Sequence, residues 1–245
     1  MPTIFEIITE EFLDDTKAIQ ALVATSNGGA PHTAAKVRIA AARSATLLSA
    51  ATFEEFVREM ARAYARKVVA STDTFSKLPP KLAATAWKRT MDGLGKIRFT
   101  GQVDGSGAES VFVAASARFS AIHAFCHGDL TQDIYQDLIH NEFNMRPSEI
   151  NGLFKVCGLG DVCSRVASKS PMLEFFGEVD SGKSHGKLLA AFEDFFERRN
   201  GIAHSLNSGR SSGPEQIGTD LDMMDAFAQG LCSTLGELEP ASSSL

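Results

Sequence analysis

Apolar positions recur at helical spacing along most of the chain. Phe5, Ile8, Phe12, Ile19 and Leu22 mark one face of a first helix, which Ser26-Asn27-Gly28-Gly29-Ala30-Pro31 should stop. From Thr33 to about Ala70 the chain is alanine-rich and lacks Gly and Pro, with Leu47, Leu48, Phe53, Phe56, Val57, Met60 and Tyr64 at helical spacing. That stretch predicts one long helix, or two with a bend near Ser49. Pro79-Pro80 breaks the pattern, and Lys81 to Leu94 predicts the next helix. Ile97-Arg98-Phe99 and Val111-Phe112-Val113 flank a Gly-rich turn, a pattern that also fits a short hairpin.

Pro147 with Ser148 predicts a helix start leading into Ile150, Leu153 and Phe154, and Asp161 to Ala167 predicts another short helix. Lys187 to Arg199 carries Leu188, Leu189, Phe192, Phe195 and Phe196 along one face. A polar loop from Ser205 to Gly218 should follow. Thr219 and Asp222 have capping-box spacing ahead of Met224, Phe227, Leu231 and Leu235, the stripe of a last helix. Residues 238–245 read as a disordered tail. With no repeat and no long strand pattern, the expectation is one mainly α-helical domain over residues 1–237.

Composition narrows the class. A chain of 245 residues with 44% hydrophobic and 22% charged residues can bury a proper core and matches an ordinary soluble protein. Met1 to Glu11 has no basic region and no apolar core, so no secretory signal is expected. Arg38, Arg43, Glu109 and Arg118 interrupt apolar stretches before they could span a bilayer, so no membrane partner is expected. Cys126, Cys157, Cys163 and Cys232 form no CxxC pair and read as reduced thiols of a cytoplasmic protein. A net charge of −6 argues against charge-driven binding to long nucleic acid. Yet residues 58–98 carry ten Lys or Arg against Glu59, Asp73 and Asp92, while residues 6–15 are acidic. A local basic surface on an acidic protein fits that asymmetry.

Several patterns could carry chemistry. Gly177-Glu178-Val179-Asp180-Ser181-Gly182-Lys183-Ser184 fits the phosphate-loop expression, with Lys183 toward phosphates and Ser184 toward magnesium in a nucleotidase. Against it, no later hydrophobic strand ends in a metal-holding Asp, so a polar loop with a chance match is the alternative. His123, Cys126 and His127 lie close together with His140 nearby, but no carboxylate completes a zinc pattern and no metal site is expected. Arg58, Arg62 and Arg66 recur every four residues beside Lys67, a face that could touch phosphates or simply pair with Glu54, Glu55 and Glu59. Arg43 and Glu54 could equally be structural.

The densest cluster is Arg198-Arg199-Asn200-Gly201-Ile202-Ala203-His204-Ser205. If the helix ends at Arg199 and Gly201 turns the chain sharply, His204 returns toward Arg199. A guanidinium beside a neutral imidazole is suited to binding a phosphate and moving a proton next to it. The alternative is helix capping, with Asn200 in a left-handed cap and His204 on the last carbonyls.

This arrangement resembles the RxxxxH signature of the HEPN superfamily, in which the Arg is often followed by a polar residue and the His preceded by a pair such as Ile-Ala. Arg43 to Leu48 and Phe53 to Val57 look like the long early helix of its RiboL-PSP-HEPN subgroup. Asn144-Met145-Arg146-Pro147-Ser148 into Phe154 is similar to the segment that often precedes the motif. The resemblance covers about residues 35–237 and departs from the pattern at Ser205, where Gly is common, and in an insertion around residues 95–130. It implies a HEPN-type antiparallel helical bundle that homodimerises and cleaves RNA without metal or other cofactor, as toxins and anti-phage effectors do. Arg199, Asn200 and His204 would be catalytic, with Arg198, Ser205, Arg58, Arg62 and Arg66 as RNA-binding candidates. An antitoxin or defence-system partner is implied as well. A HEPN domain that binds RNA or a protein without cleavage is the second reading.

Overall fold

The structure, a computed structural model, describes residues 1–28, 35–97, 106–140, 143–204 and 212–238, with backbone alone at 27–28, 106–110 and 204. Its elements are α1 (Ile4–Gly28), α2 (Ala35–Ala70), a 3-10 turn (Phe75–Lys77), α3 (Pro80–Gly95), α4 (Ser106–Cys126), α5 (Tyr135–Leu138), α6 (Pro147–Val156), α7 (Val162–Ala167), α8 (Ser170–Phe176), α9 (Ser181–His204) and α10 (Pro214–Glu237). Among the described residues there is no strand. The mainly α-helical expectation holds. No described helix is long and apolar enough to cross a membrane.

Local chemistry explains where the helices begin. Thr3 and Glu6 form a capping box at α1, the Thr3 amide donating to Glu6 Oε2 at 2.6 Å and the Glu6 amide to Thr3 Oγ1 at 3.2 Å. The α2 helix is continuous, because Ser49 Oγ donates to the Ala45 carbonyl at 2.8 Å and stays satisfied inside it. Pro214 opens α10 at its first turn, where its missing amide costs nothing. Thr219 is therefore not a cap. Its hydroxyl donates to the Glu215 carbonyl at 3.0 Å within the helix, and the predicted loop to Gly218 ends earlier.

The hairpin expectation is overturned at its second arm. Val111-Phe112-Val113 lies in α4, where the following Ala114-Ala115-Ser116-Ala117 favours helix more strongly than three strand formers favour a hairpin. Arg98 and Phe99 of the first arm lie outside the described residues, as does the tail from Glu239.

Two compact units are distinguishable, residues 1–60, 143–151 and 161–245, and residues 61–142 and 152–160. The first is built around phenylalanines. Phe53 stacks on Phe192 at 5.0 Å and meets Phe227 edge-on at 5.6 Å, Phe192 meets Phe227 edge-on at 5.2 Å, and Phe12 stacks on Phe56 at 4.4 Å. Such ring pairs add about 0.5–1.5 kcal/mol each beyond the area they bury. Gly230 lets α10 approach α7, since a Cβ there would stand 3.0 Å from Val166 Cγ1.

In the second unit α3 packs on α4 and α5. Arg118 clamps Asp137 through two nitrogens, Thr90 Oγ1 donates to the same carboxylate at 3.1 Å, and Arg89 donates to the Leu138 carbonyl. Arg66 lies 5.1 Å from the centre of the Tyr135 ring. The cysteines are free thiols, and burial pushes Cys157 and Cys163 up to about 12.

On α10, Asp225 faces Thr16 and Lys17 of α1. Burial pushes its carboxyl up to about 6, with Asp222 adding to the effect and the Thr16 hydroxyl and Lys17 opposing it. The folded chain therefore holds this proton more tightly than the unfolded chain does. The stability it contributes is complete below about pH 4 and is lost as pH rises through about 6. Asp225→Asn should exceed the parent in stability by about 1–2 kcal/mol at pH 8, after allowance for solvent screening, and match it at about pH 3.5. Urea unfolding at the two pH values measures the difference.

Candidate functional site

The site begins with the rotational setting of α9. Phe192, Phe195, Phe196 and Ile202 are buried along one side. Arg199 falls seven residues after Phe192 and three after Phe196, so it continues the inward stripe and is half-buried. Arg198 falls three after Phe195, with its guanidinium 5.8 Å from that ring centre.

The two adjacent arginines have different partners. Arg198 makes a forked pair with Asp220 of α10, Nη1 to Oδ2 at 2.8 Å and Nη2 to Oδ1 at 2.9 Å. It also donates to Asp194 Oδ2 at 3.0 Å and Ser212 Oγ at 2.8 Å. Burial works against its charge, but Asp220 and Asp194 outweigh it and hold the pKa above the ordinary arginine value. Arg198 thus ties α9 to α10.

Arg199 joins a separate polar group. Its Nη1 donates to Asn200 Oδ1 at 3.2 Å, and Asn144 Nδ2 donates to the same oxygen at 2.8 Å. Asn144 belongs to the segment entering α6, where Arg146 pairs with Glu193 of α9. The amide of the neighbouring Met145 bonds Glu54 of α2. Burial raises the Glu54 pKa, opposed by Arg199, then Arg58, then the Met145 amide. Glu54 Oε1 and Arg199 Nε are both buried without a hydrogen-bond partner. Buried polar atoms are nearly always paired, so an unpaired acceptor and an unpaired donor set this cluster apart from an ordinary buried ion pair.

The expected turn at Gly201 is overturned. The α9 helix runs through Gly201 to His204, and neither Asn200 nor Gly201 has a positive φ. Burial of Ile202 in the core holds the next turn helical, and an Asn-Gly pair alone does not break it. Asn200 is therefore not a left-handed cap. Positions 199 and 204 differ by about 140° around the helix and about 7.5 Å along it, while position 204 stands one turn beyond Asn200. The side chain of His204 and the whole of Ser205 lie outside the described residues.

The model of the RiboL-PSP-HEPN family matches residues 10–235. The chain belongs to the RiboL-PSP-HEPN family. Neither a curated protein nor a solved structure matches it.

Other candidates in this RiboL-PSP-HEPN chain resolve differently. The basic face on α2 is not a continuous exposed stripe. Arg58 pairs with Glu55 at 2.9 Å, Arg62 is only 7% exposed, and Arg66 lies 3.8 Å from Asp133 besides covering Tyr135. The phosphate-loop reading is also overturned. Helix α8 rather than a strand precedes it and closes on Gly177. The Asp180 carboxylate accepts from the Lys183 amide at 2.8 Å, taking a donor a phosphate would need, and the Ser184 side chain is fully buried. The His123 and His127 rings stack at 4.2 Å, and no metal-binding group of three His, Cys, Asp or Glu gathers among the described residues.

Residue spacing alone missed Asn144 and left Glu54 undecided, since both reach the motif only through tertiary packing. The HEPN-like segment at Asn144 to Ser148 was the one available signal. The division of labour between the arginines is testable by urea unfolding. Arg198→Ala should cost about 2–4 kcal/mol by stranding the buried Asp220, whereas Arg199→Lys should stay within about 1 kcal/mol of the parent.

Proposed function

We propose that the chain is an endoribonuclease that cuts RNA through attack of the ribose 2′-hydroxyl on the adjacent phosphate, with no metal ion in the step. The observation that carries this reading is Arg199 of the HEPN motif, held on Asn200 with its Nε unpaired and close enough to Glu54 to oppose the rise of that carboxyl's pKa. The new bond forms between the 2′ oxygen and phosphorus, and the bond from phosphorus to the 5′ oxygen breaks, leaving a cyclic phosphate. Arg199 holds the non-bridging oxygens and stabilises the charge they gain. Asn200 has Oδ1 committed to Asn144 and Arg199, and offers its Nδ2 donors to orient the phosphate. His204 moves the proton. In the homodimer we propose, two motifs meet, so one imidazole takes the 2′ proton while the other delivers one to the leaving 5′ oxygen. The role fits a toxin or anti-phage effector.

Labelled RNA incubated with the protein in EDTA tests this. The parent should cleave, His204→Ala should lose on the order of a hundred- to ten-thousand-fold in rate, and Arg199→Lys should be impaired because a point charge replaces the fork. Binding without cleavage by the parent would replace the nuclease with a non-catalytic RNA-binding domain. Full turnover by Arg199→Lys would remove that residue from the site. Sedimentation should give a dimer, and a strict monomer at micromolar concentration would sink the composite cleft.

A further inference from the structure

The second unit carries a row of rings that remain partly exposed where α3 meets α4. Phe119, His123 and His127 follow one another at four-residue intervals, so they line one face of α4 and the turn just after it. Ring centres lie 6.0 Å apart between Phe119 and His123 and 4.2 Å apart between His123 and His127. Trp87 of α3 extends the row, edge-on to Phe119 at 6.4 Å. These are not core residues: Trp87 is 38% exposed, Phe119 is 44% exposed, and both histidines are exposed.

The surrounding charge has a definite sign. Over the described residues of 80–97 and 111–129, Lys81, Lys88, Arg89, Lys96 and Arg118 stand against Asp92 and Asp129, a net positive stretch on a chain whose net charge is −6. Arg89 and Arg118 are turned to the Leu138 carbonyl and to Asp137, while Lys81 and Lys88 of α3 are exposed. Planar faces in a row with lysines beside them are what sequence-tolerant recognition of unpaired bases requires. From Phe119 to His127 the row spans about 12 Å, the length of three or four stacked bases.

We propose that Trp87, Phe119, His123 and His127 form a stacking platform for single-stranded RNA, with Lys81 and Lys88 meeting its phosphates. The ligand class rests on the ribonuclease reading above. The platform itself rests on elements of the second unit alone. It selects unpaired over duplex RNA, because only splayed bases present their faces to side chains. It binds with little sequence preference, since every base has a face to stack.

Trp87 is the sole tryptophan, so its fluorescence reports the platform directly. The full-length protein is titrated with a fluorescein-labelled, single-stranded 2′-O-methyl RNA 12-mer, which lacks the attacking hydroxyl and stays intact, and with its duplex. Binding should quench Trp87, and the single strand should bind more tightly than the duplex. Phe119→Leu and His123→Leu keep an apolar group while removing the ring, and each should weaken binding roughly 5- to 150-fold. Unchanged circular dichroism in these variants excludes unfolding as the cause. Binding with unaltered Trp87 emission, or affinity within twofold of the parent in the double variant, would overturn the platform. So would Trp87 emission that responds to protein concentration but not to RNA, which would assign the row to a second copy of the chain. Cleavage of unmodified RNA by the parent is scored separately. A nuclease with a silent Trp87 loses only the platform, and a quenched Trp87 without cleavage loses only the nuclease.

Discussion

Phe53 on Phe192 sets the angle at which α9 lies in its unit, and the candidate site follows from that angle. Full burial of one phenylalanine is worth about 1.5–3 kcal/mol, and Phe53, Phe192, Phe195, Phe196 and Phe227 are all fully buried. An exposed ion pair contributes about 0–1 kcal/mol. The rings therefore decide how α9 is rotated, and the charged residues occupy the places left to them. Once Phe195 and Phe196 point inward, the next turn offers two different surroundings. Arg198 meets Asp220 of α10, and Arg199 meets Asn200, Asn144 and the neighbourhood of Glu54.

The two neighbouring arginines differ in how fully their donors are committed. Arg198 spends its donors on two carboxylates and a hydroxyl, so little of the guanidinium is available to a ligand. Arg199 Nε is buried without a partner, and burial raises the pKa of Glu54 against the opposing charge of Arg199. An anion arriving at Arg199 would compete with Glu54 for the same cation and push its pKa higher still.

Much of this was legible in the residue order, and the failures have a common cause. The stripe from Leu188 to Phe196 located α9, and the alanine-rich run from Thr33 located α2, because a 3.6-residue period is a local property. The RxxxxH hexamer, also local, carried the resemblance to the family that the chain belongs to. What local patterns could not supply was the partner of each charge. Arg198 and Arg199 are identical in type, and only Asp220, 22 residues away, separates their roles. Arg58, Arg62 and Arg66 form a tidy helical face on paper, yet Arg62 is buried. Gly201 looked like a turn because glycine permits one, but the core contact of Ile202 decides the backbone there.

The straight course of α9 bears on how a motif of this spacing can act. With the helix unbroken, positions 199 and 204 do not share a stripe, and a single copy does not fold its motif back upon itself. A site using both residues on one phosphate then has two routes. Either long side chains converge from different sides of one helix, or a second α9 lies across the first and supplies what the first turns away. The second route gives a reason for assembly that a folded-back motif would not. It would also tie activity to protein concentration, because a cleft shared between two copies exists only when both are present.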